Sequence, residues 1–384
     1  MPVLIGNGSH PPAGHAGCVE IGLVNSMPDA ALEATERQFI ELIDAAAGDV
    51  TVRLRFFSLP DIPRTARGQL HVSNSYLGIG DLWDGPLDAL IVTGTEPRAS
   101  ALSDEPYWPA LAELIDWAEH NTISTIWSCL AAHAAVLHLD GVARHALADK
   151  CFGIFDCAKA GDHPLLKDVP SSLPVPHSRL NGLPESELVA YGYDILTRSA
   201  QAGVDSFARQ GRSLFVFFQG HPEYDAHSLL GEYRRDVGRF LRGERENFPA
   251  MPKNYFDGAT AGLLAAFRAR ARMDRREELL ADFPIAAAEH GVRNVWRPSA
   301  ACIYRNWLAH LAAQKAAGSS TGMPRSSTAS RVSAGVAAAN LQSGGEALRR
   351  APFIERRRSN DASGLYSGAR DRRLSAQREA IPAE

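Results

Sequence analysis

The sequence predicts an α/β fold with a mainly parallel sheet and helices on both faces. Two patterns carry this. Short apolar runs alternate with segments of helical periodicity, the signature of strand–helix repeats. The runs are also apolar on both sides, as strands are when both sheet faces are covered. CVEIGLVNSMP is one such run, closed by proline. Leu32 to Ala47 then repeats apolar residues at helical spacing, with Glu33, Glu36, Arg37 and Glu41 on a wet face. TVRLRFFSLP alternates and reads as a second strand, and LDALIVTGTEP as a third that ends in a turn at Gly94. YWPALAELIDWAEHN is helical, and STIWSCLAAHAAVLHL runs strand, turn, helix. SLFVFFQGHPEYD is a buried strand opening into a loop, followed by the helix HSLLGEYRRDVGRFL. Residues 259–289 read as charged helix, and WRPSAACIYRNWLAHLAAQ as a last packed helix. Strand ends at Thr93–Gly94, Ser128–Cys129 and Gly220–His221 mark the carboxyl edge, where sites form in such sheets.

Three regions follow. Residues 1–17 read as a flexible arm, 18–317 as the folded domain, and 318–384 as a disordered basic tail rich in Ser, Gly and Ala. That tail holds 11 Arg and 6 acidic residues, so a chain of net charge −4 leaves about −9 on the rest. This balance argues against a nucleic-acid partner. No run is long and apolar enough to cross a bilayer, and the N-terminus lacks the pattern of a secretory signal. The five cysteines (18, 129, 151, 157, 302) are odd in number and scattered, which favours reduced thiols in a cytoplasm over disulfides. Cys151 and Cys157 lack the CxxC spacing of a zinc site, so no metal is expected.

Cys129 follows an apolar strand and opens an alanine-rich helix. A sharp strand-to-helix turn exposes a nucleophile, and a helix N-terminus favours its thiolate. The Leu130 N–H would point into the same space and face an oxyanion. Alone, Cys129 reads more readily as a small core residue. His221 and Glu223, in QGHPEYD, change the balance. A strand-end histidine reaches a neighbouring strand-end thiol, and a carboxylate two residues on can hold its other ring nitrogen. A GHPE turn by itself would mean little.

With both units in one chain, the sequence resembles the class I glutamine amidotransferase fold. More closely, it is similar to the homoserine O-succinyltransferase (homoserine O-acyltransferase) family. The stretches IGLVNSMP, DALIVTGTEP, YWPALAELIDWA, STIWSCLAAHAA, PHSR, GHPEYDA, EYRRDV, NYF and WR…NWL carry the resemblance from about Val19 to Leu308. It implies that Cys129 carries the acyl group, His221 is the base and Glu223 orients it. It further implies substrate roles for Lys150, Ser178 and Arg179, and for Glu232 and Arg235 on one helix face, where a surface ion pair would otherwise be the plainer reading. The expected oxyanion hole is Leu130 N–H with a backbone N–H near Gly94–Thr95. The resemblance implies no bound cofactor, acyl-CoA (succinyl-CoA or acetyl-CoA) as co-substrate, small-molecule substrates only, no membrane partner, and a homodimer.

Two departures bear on the acceptor. NSMPDAALEATERQF lacks the family's lysine-bearing segment, and residues 259–289 exceed the family's usual link. L-Serine and acetyl-CoA stay open as substrates. A glutamine amidotransferase and a non-catalytic α/β binding module also stay open, although no synthetase-like segment accompanies the triad. On the donor side, an ungapped count along VTGTEPR places Arg98 where the resembling family sets acyl choice. An arginine fork there could bind a succinyl carboxylate, unless Glu96 neutralises it.

Overall fold

The computed structural model describes residues 3–6 and 17–320. Ten strands form one sheet in the order β1-β3-β2-β4-β5-β10-β9-β8-β6-β7. The parallel half comprises β1 (Val3–Ile5), β2 (Val19–Val24), β3 (Val52–Phe57), β4 (Ala89–Val92), β5 (Ser124–Ser128) and β10 (Leu214–Phe218). Every residue of β2, β3, β4, β5 and β10 is buried, as two covered faces require. The alternation in β3 hides an ionic detail: Arg53 and Arg55 are buried and both pair with buried Glu20, at 2.9 and 3.1 Å. Breaking such a group by removing one partner typically costs about 3–5 kcal/mol.

Helices cover both faces. On one, α1 (Asp29–Ala47) and α10 (Arg297–Ser320) bury Phe39, Leu42, Trp307 and Leu308 against Ile21 and Leu23. On the other, α4 (Trp108–Asn121) and α5 (Leu130–Asp140) bury Leu111, Leu114 and Ala131 against Leu90 and Trp127. Between β3 and β4 stand α2 (Ala66–Ser75) and α3 (Ile79–Asp84).

Beyond β10 the sheet turns antiparallel through β9 (Gly203–Gln210), β8 (Asp194–Ser199), β6 (His145–Lys159) and β7 (Ser172–Gly182), with α6 (Glu185–Ala190) between β7 and β8. This extension was not among the sequence expectations. Against it, α7 (Ser228–Leu241), α8 (Gly258–Met273) and α9 (Ile285–Gly291) bury Phe240, Leu264 and Phe267 together with Phe152 and Ile154 of β6. The long 259–289 stretch is therefore part of a third core cluster.

The expected flexible arm over 1–17 needs correction. Val3–Ile5 forms an edge strand on β3, with Val3 buried opposite Val52, because three apolar residues suffice to extend the ladder. Residues 7–16 lie outside the described residues. So does the expected tail from 321 onward, and α10 runs on to Ser320 past the expected boundary.

Gly153 shows how tightly the third cluster is tied to the sheet. Its φ is +139°, and an added Cβ would fall 2.3 Å from the Lys253 carbonyl oxygen. The flanking backbone is bridged by Ile154 N–H to Lys253 O and Lys253 N–H to Phe152 O, both at 2.9 Å. Gly153→Ala should therefore lose roughly 2–4 kcal/mol through strain and backbone displacement. Chemical denaturation measures this, and an unchanged midpoint would contradict the close approach.

Candidate active site

Cys129 sits between β5 and α5 with φ 53° and ψ −113°, a conformation non-glycine residues rarely take. Its N–H donates to Phe218 O at 2.7 Å, and its own carbonyl accepts from Ala132 N–H at 3.0 Å. The thiol thus stands at the positive end of α5. Gly94 lies against the same helix end: a Cβ there would be 3.0 Å from Leu130 N. The backbone at Gly94 and the N–H of Leu130, the residue after Cys129, therefore lie side by side.

His221 arrives from the next strand. Gly220 precedes it, and only glycine fits, since a Cβ would be 2.5 Å from an Asp205 carboxylate oxygen and 2.6 Å from Val175. His221 N–H then donates to Pro176 O at 2.8 Å. The ring Nδ1 meets Glu223 Oε1 at 2.8 Å, which leaves Nε2 for the Cys129 thiol. Both His221 and Glu223 are buried. Burial opposes the charged imidazolium, but the negative charges of Cys129 and Glu223 and their hydrogen bonds outweigh it. The His221 pKa is held well above its ordinary value.

A polar chain leads away from this group. His221 stacks on Tyr224 with ring centroids 4.2 Å apart, and the Tyr224 hydroxyl donates to Glu232 Oε1 at 2.6 Å. Glu232 Oε2 accepts from Ser178 Oγ at 2.5 Å and lies 3.5 Å from Lys150 Nζ and 3.7 Å from Arg235 Nη2. Asp236 joins both cations, at 3.4 Å from Lys150 and 3.1 Å from Arg235. Lys150, Ser178, Glu232 and Arg235 are therefore one cluster. The neighbouring loop is pinned at Tyr224 O, which accepts from Trp296 Nε1 at 2.9 Å and Asn294 Nδ2 at 3.0 Å.

Arg179 does not join that cluster. Alternation along β7 turns it away from Ser178, and its buried guanidinium donates to Asn181 O, Ala202 O and His177 Nδ1. Arg98 is an exposed loop residue. Its N–H, with that of Ala99, is fastened to buried Glu105 at 2.5 and 2.7 Å. Glu96 faces Arg239 at 3.1 Å.

Tyr224, Trp296 and Asn294 were missed in the sequence, although Tyr224 lies inside GHPEYDA. His133, one turn beyond Cys129, is a core histidine held by Gln219 Oε1 at 2.9 Å, and burial pushes its pKa down to about 3. Among the described residues, Cys157, His177 and Asp205 form the one group with metal-ligand spacing, all buried. Arg179 donates to His177 Nδ1, which keeps the ring proton on Nε2, facing Asp205 Oδ1 at 3.3 Å. A metal would need that nitrogen's lone pair, so the trio reads as a histidine–carboxylate pair.

A thiol, a histidine and a carboxylate in this order can run nucleophilic acyl chemistry. The homoserine O-succinyltransferase family model matches residues 10–317. The homoserine O-succinyltransferase of Rhodopseudomonas palustris is 54% identical over 296 residues, 77% of this chain and 89% of that protein. That of Methylorubrum extorquens is 50% identical over 291 residues, 76% and 86% of the two chains. A solved glutamine amidotransferase from Methylobacillus flagellatus aligns over 77% of this chain and 95% of its own, at 16% identity and a TM-score of 0.43. The chain belongs to the homoserine O-succinyltransferase family.

Proposed function

We propose that this protein moves a succinyl group from succinyl-CoA to the hydroxyl of L-homoserine through a thioester on Cys129. The observation that carries the reading is His221 set between the Cys129 thiol and the Glu223 carboxylate, with its pKa held up by both. The names of the relatives support homoserine as acceptor and succinyl as the group moved. The reading includes a cytoplasmic homodimer serving methionine biosynthesis.

In the first step the Cys129 thiolate attacks the thioester carbonyl. The carbonyl oxygen takes the negative charge against the Leu130 N–H and the backbone at Gly94–Thr95. The bond to the CoA sulfur breaks, and that sulfur leaves with the proton of the His221 imidazolium. His221 is now neutral, and no charge remains on the Cys129 sulfur. One of the charges that raised its pKa is gone, so the ring is poised as a base. In the second step it takes the homoserine hydroxyl proton while the oxygen attacks the Cys129 thioester. Cys129 leaves as thiolate, and the starting ion pair returns. Glu232 would take the amino acid's ammonium and Arg235 its carboxylate, with Lys150 and Ser178 orienting Glu232.

Product formation from succinyl-CoA and homoserine tests the reading directly. Cys129→Ala should lose about a thousandfold or more in single-turnover transfer while staying folded. His221→Ala should lose nearly as much, and Glu223→Gln less, since it removes only the orienting charge. Substantial transfer by Cys129→Ala would sink the covalent route.

The sign of the His221 shift gives a second check. Its pKa is raised partly by the negative Cys129 sulfur, so capping that sulfur with neutral iodoacetamide should lower the titration midpoint of His221. Imidazole NMR follows both forms. A midpoint that stays put would mean that Cys129 does not charge the pair.

A further inference from the structure

Transfer through Cys129, as proposed above, requires the thiol and the His221 ring to keep one separation, and two buried side chains behind them bear on it. Cys129 opens α5 and His221 follows β10, so the two part wherever α5 shifts against that strand. One link between these elements is the hydrogen bond from Cys129 N–H to Phe218 O. A single bond fixes a distance and leaves the helix free to pivot about it. A second link stands one turn along. His133 closes the first turn of α5, its N–H donating to Cys129 O at 3.3 Å, and its ring Nε2 lies 2.9 Å from Gln219 Oε1. Four residues of helix rise about 6 Å, lever enough to stop the pivot. Gln219 follows Phe218 directly and precedes Gly220 and His221.

Gln219 is buried and held on every side. Its Oε1 also accepts from Leu183 N–H at 3.1 Å, its Nε2 donates to Val204 O at 2.8 Å, and its backbone N–H donates to Asp205 O at 2.7 Å. Leu183 N–H can only donate and Val204 O can only accept, so the amide has one orientation. Its oxygen faces His133, and the His133 ring must carry its proton on Nε2 to meet it. Burial pushes the His133 pKa down to about 3, so the ring stays neutral with that one donor.

Resting on the proposed transferase reading, we infer that His133 and Gln219 are positioning residues, whose hydrogen bond locks α5 against the end of β10 and sets the reach of His221 to Cys129 in both half-reactions. A plain core role would need only bulk. Every other residue of the buried run Leu130–Val136 is apolar, and an apolar side chain at 133 would avoid the cost of burying an imidazole. The polar pair instead spans the two elements that carry the nucleophile and the base. Geometry held this way is what rate depends on, because small misplacements of reacting groups are costly.

The test compares His133→Leu and His133→Met, which lack the donor, with His133→Gln, whose amide can still donate to Gln219 Oε1. Thermal unfolding checks that each variant folds. In the variants without the donor, kcat should fall about 10- to 100-fold. KM for homoserine should stay within about twofold, since the Glu232–Arg235 cluster is untouched. His133→Gln should recover most of the loss. Iodoacetamide reads the same pair without substrate. Alkylation of Cys129, followed at its peptide, should slow several-fold in the variants without the donor, because a displaced imidazolium supports the thiolate less. Full kcat or wild-type alkylation in a folded variant without the donor, a loss confined to KM, or a loss that His133→Gln fails to recover would overturn the clamp. Wild-type protein that makes no O-succinylhomoserine would instead overturn the transferase reading, and the alkylation rates would still decide the clamp.

Discussion

Ser128 and Phe218 stand side by side at the ends of β5 and β10, and the Cys129 N–H continues their parallel ladder by donating to Phe218 O at 2.7 Å. That hydrogen bond holds the strained turn in place. It also fixes how far the thiol lies from the chain that becomes His221 three residues later. Parallel strands end at one edge, so a residue after one strand and a residue after its neighbour meet without further design. Gly220 keeps the approach close by leaving room for Asp205 and Val175 behind it. The rest of the site is built outward from this pairing.

Electrostatics then divides the work. His221 lies in a buried setting that would discharge it, yet its neighbours Cys129 and Glu223 hold its pKa up. Such a balance is sensitive to losing one neighbour, and in the proposed mechanism acylation of Cys129 would remove one. The same group can serve as acid before that event and as base after it. Tyr224 links this pair to Glu232, while Trp296 and Asn294 hold the Tyr224 carbonyl from the far end of the chain. The last packed segment thereby reaches the chemistry through a loop it never enters.

Much of this was legible in the sequence, and the gaps have physical reasons. Fully buried parallel strands are continuous apolar runs, so β2, β4, β5 and β10 stood out, and with them Cys129 and His221. The antiparallel extension did not. The first half of β6, His145–Lys150, has no buried residue, and burial begins only at Cys151, so no in–out alternation marks its start. β1 is three residues long, too short for any period. Arg179 was read beside Ser178 because they adjoin in PHSR, but neighbours in a strand face opposite ways.

Trapping the acyl-enzyme tests the central claim most directly. The protein is mixed with succinyl-CoA alone, quenched in acid and weighed intact, and its Cys129 peptide is sequenced by mass spectrometry. A stoichiometric gain of one succinyl group on Cys129, discharged when homoserine is added, is the predicted result. An enzyme that makes O-succinylhomoserine at full rate while Cys129 stays unmodified at every time point would contradict it.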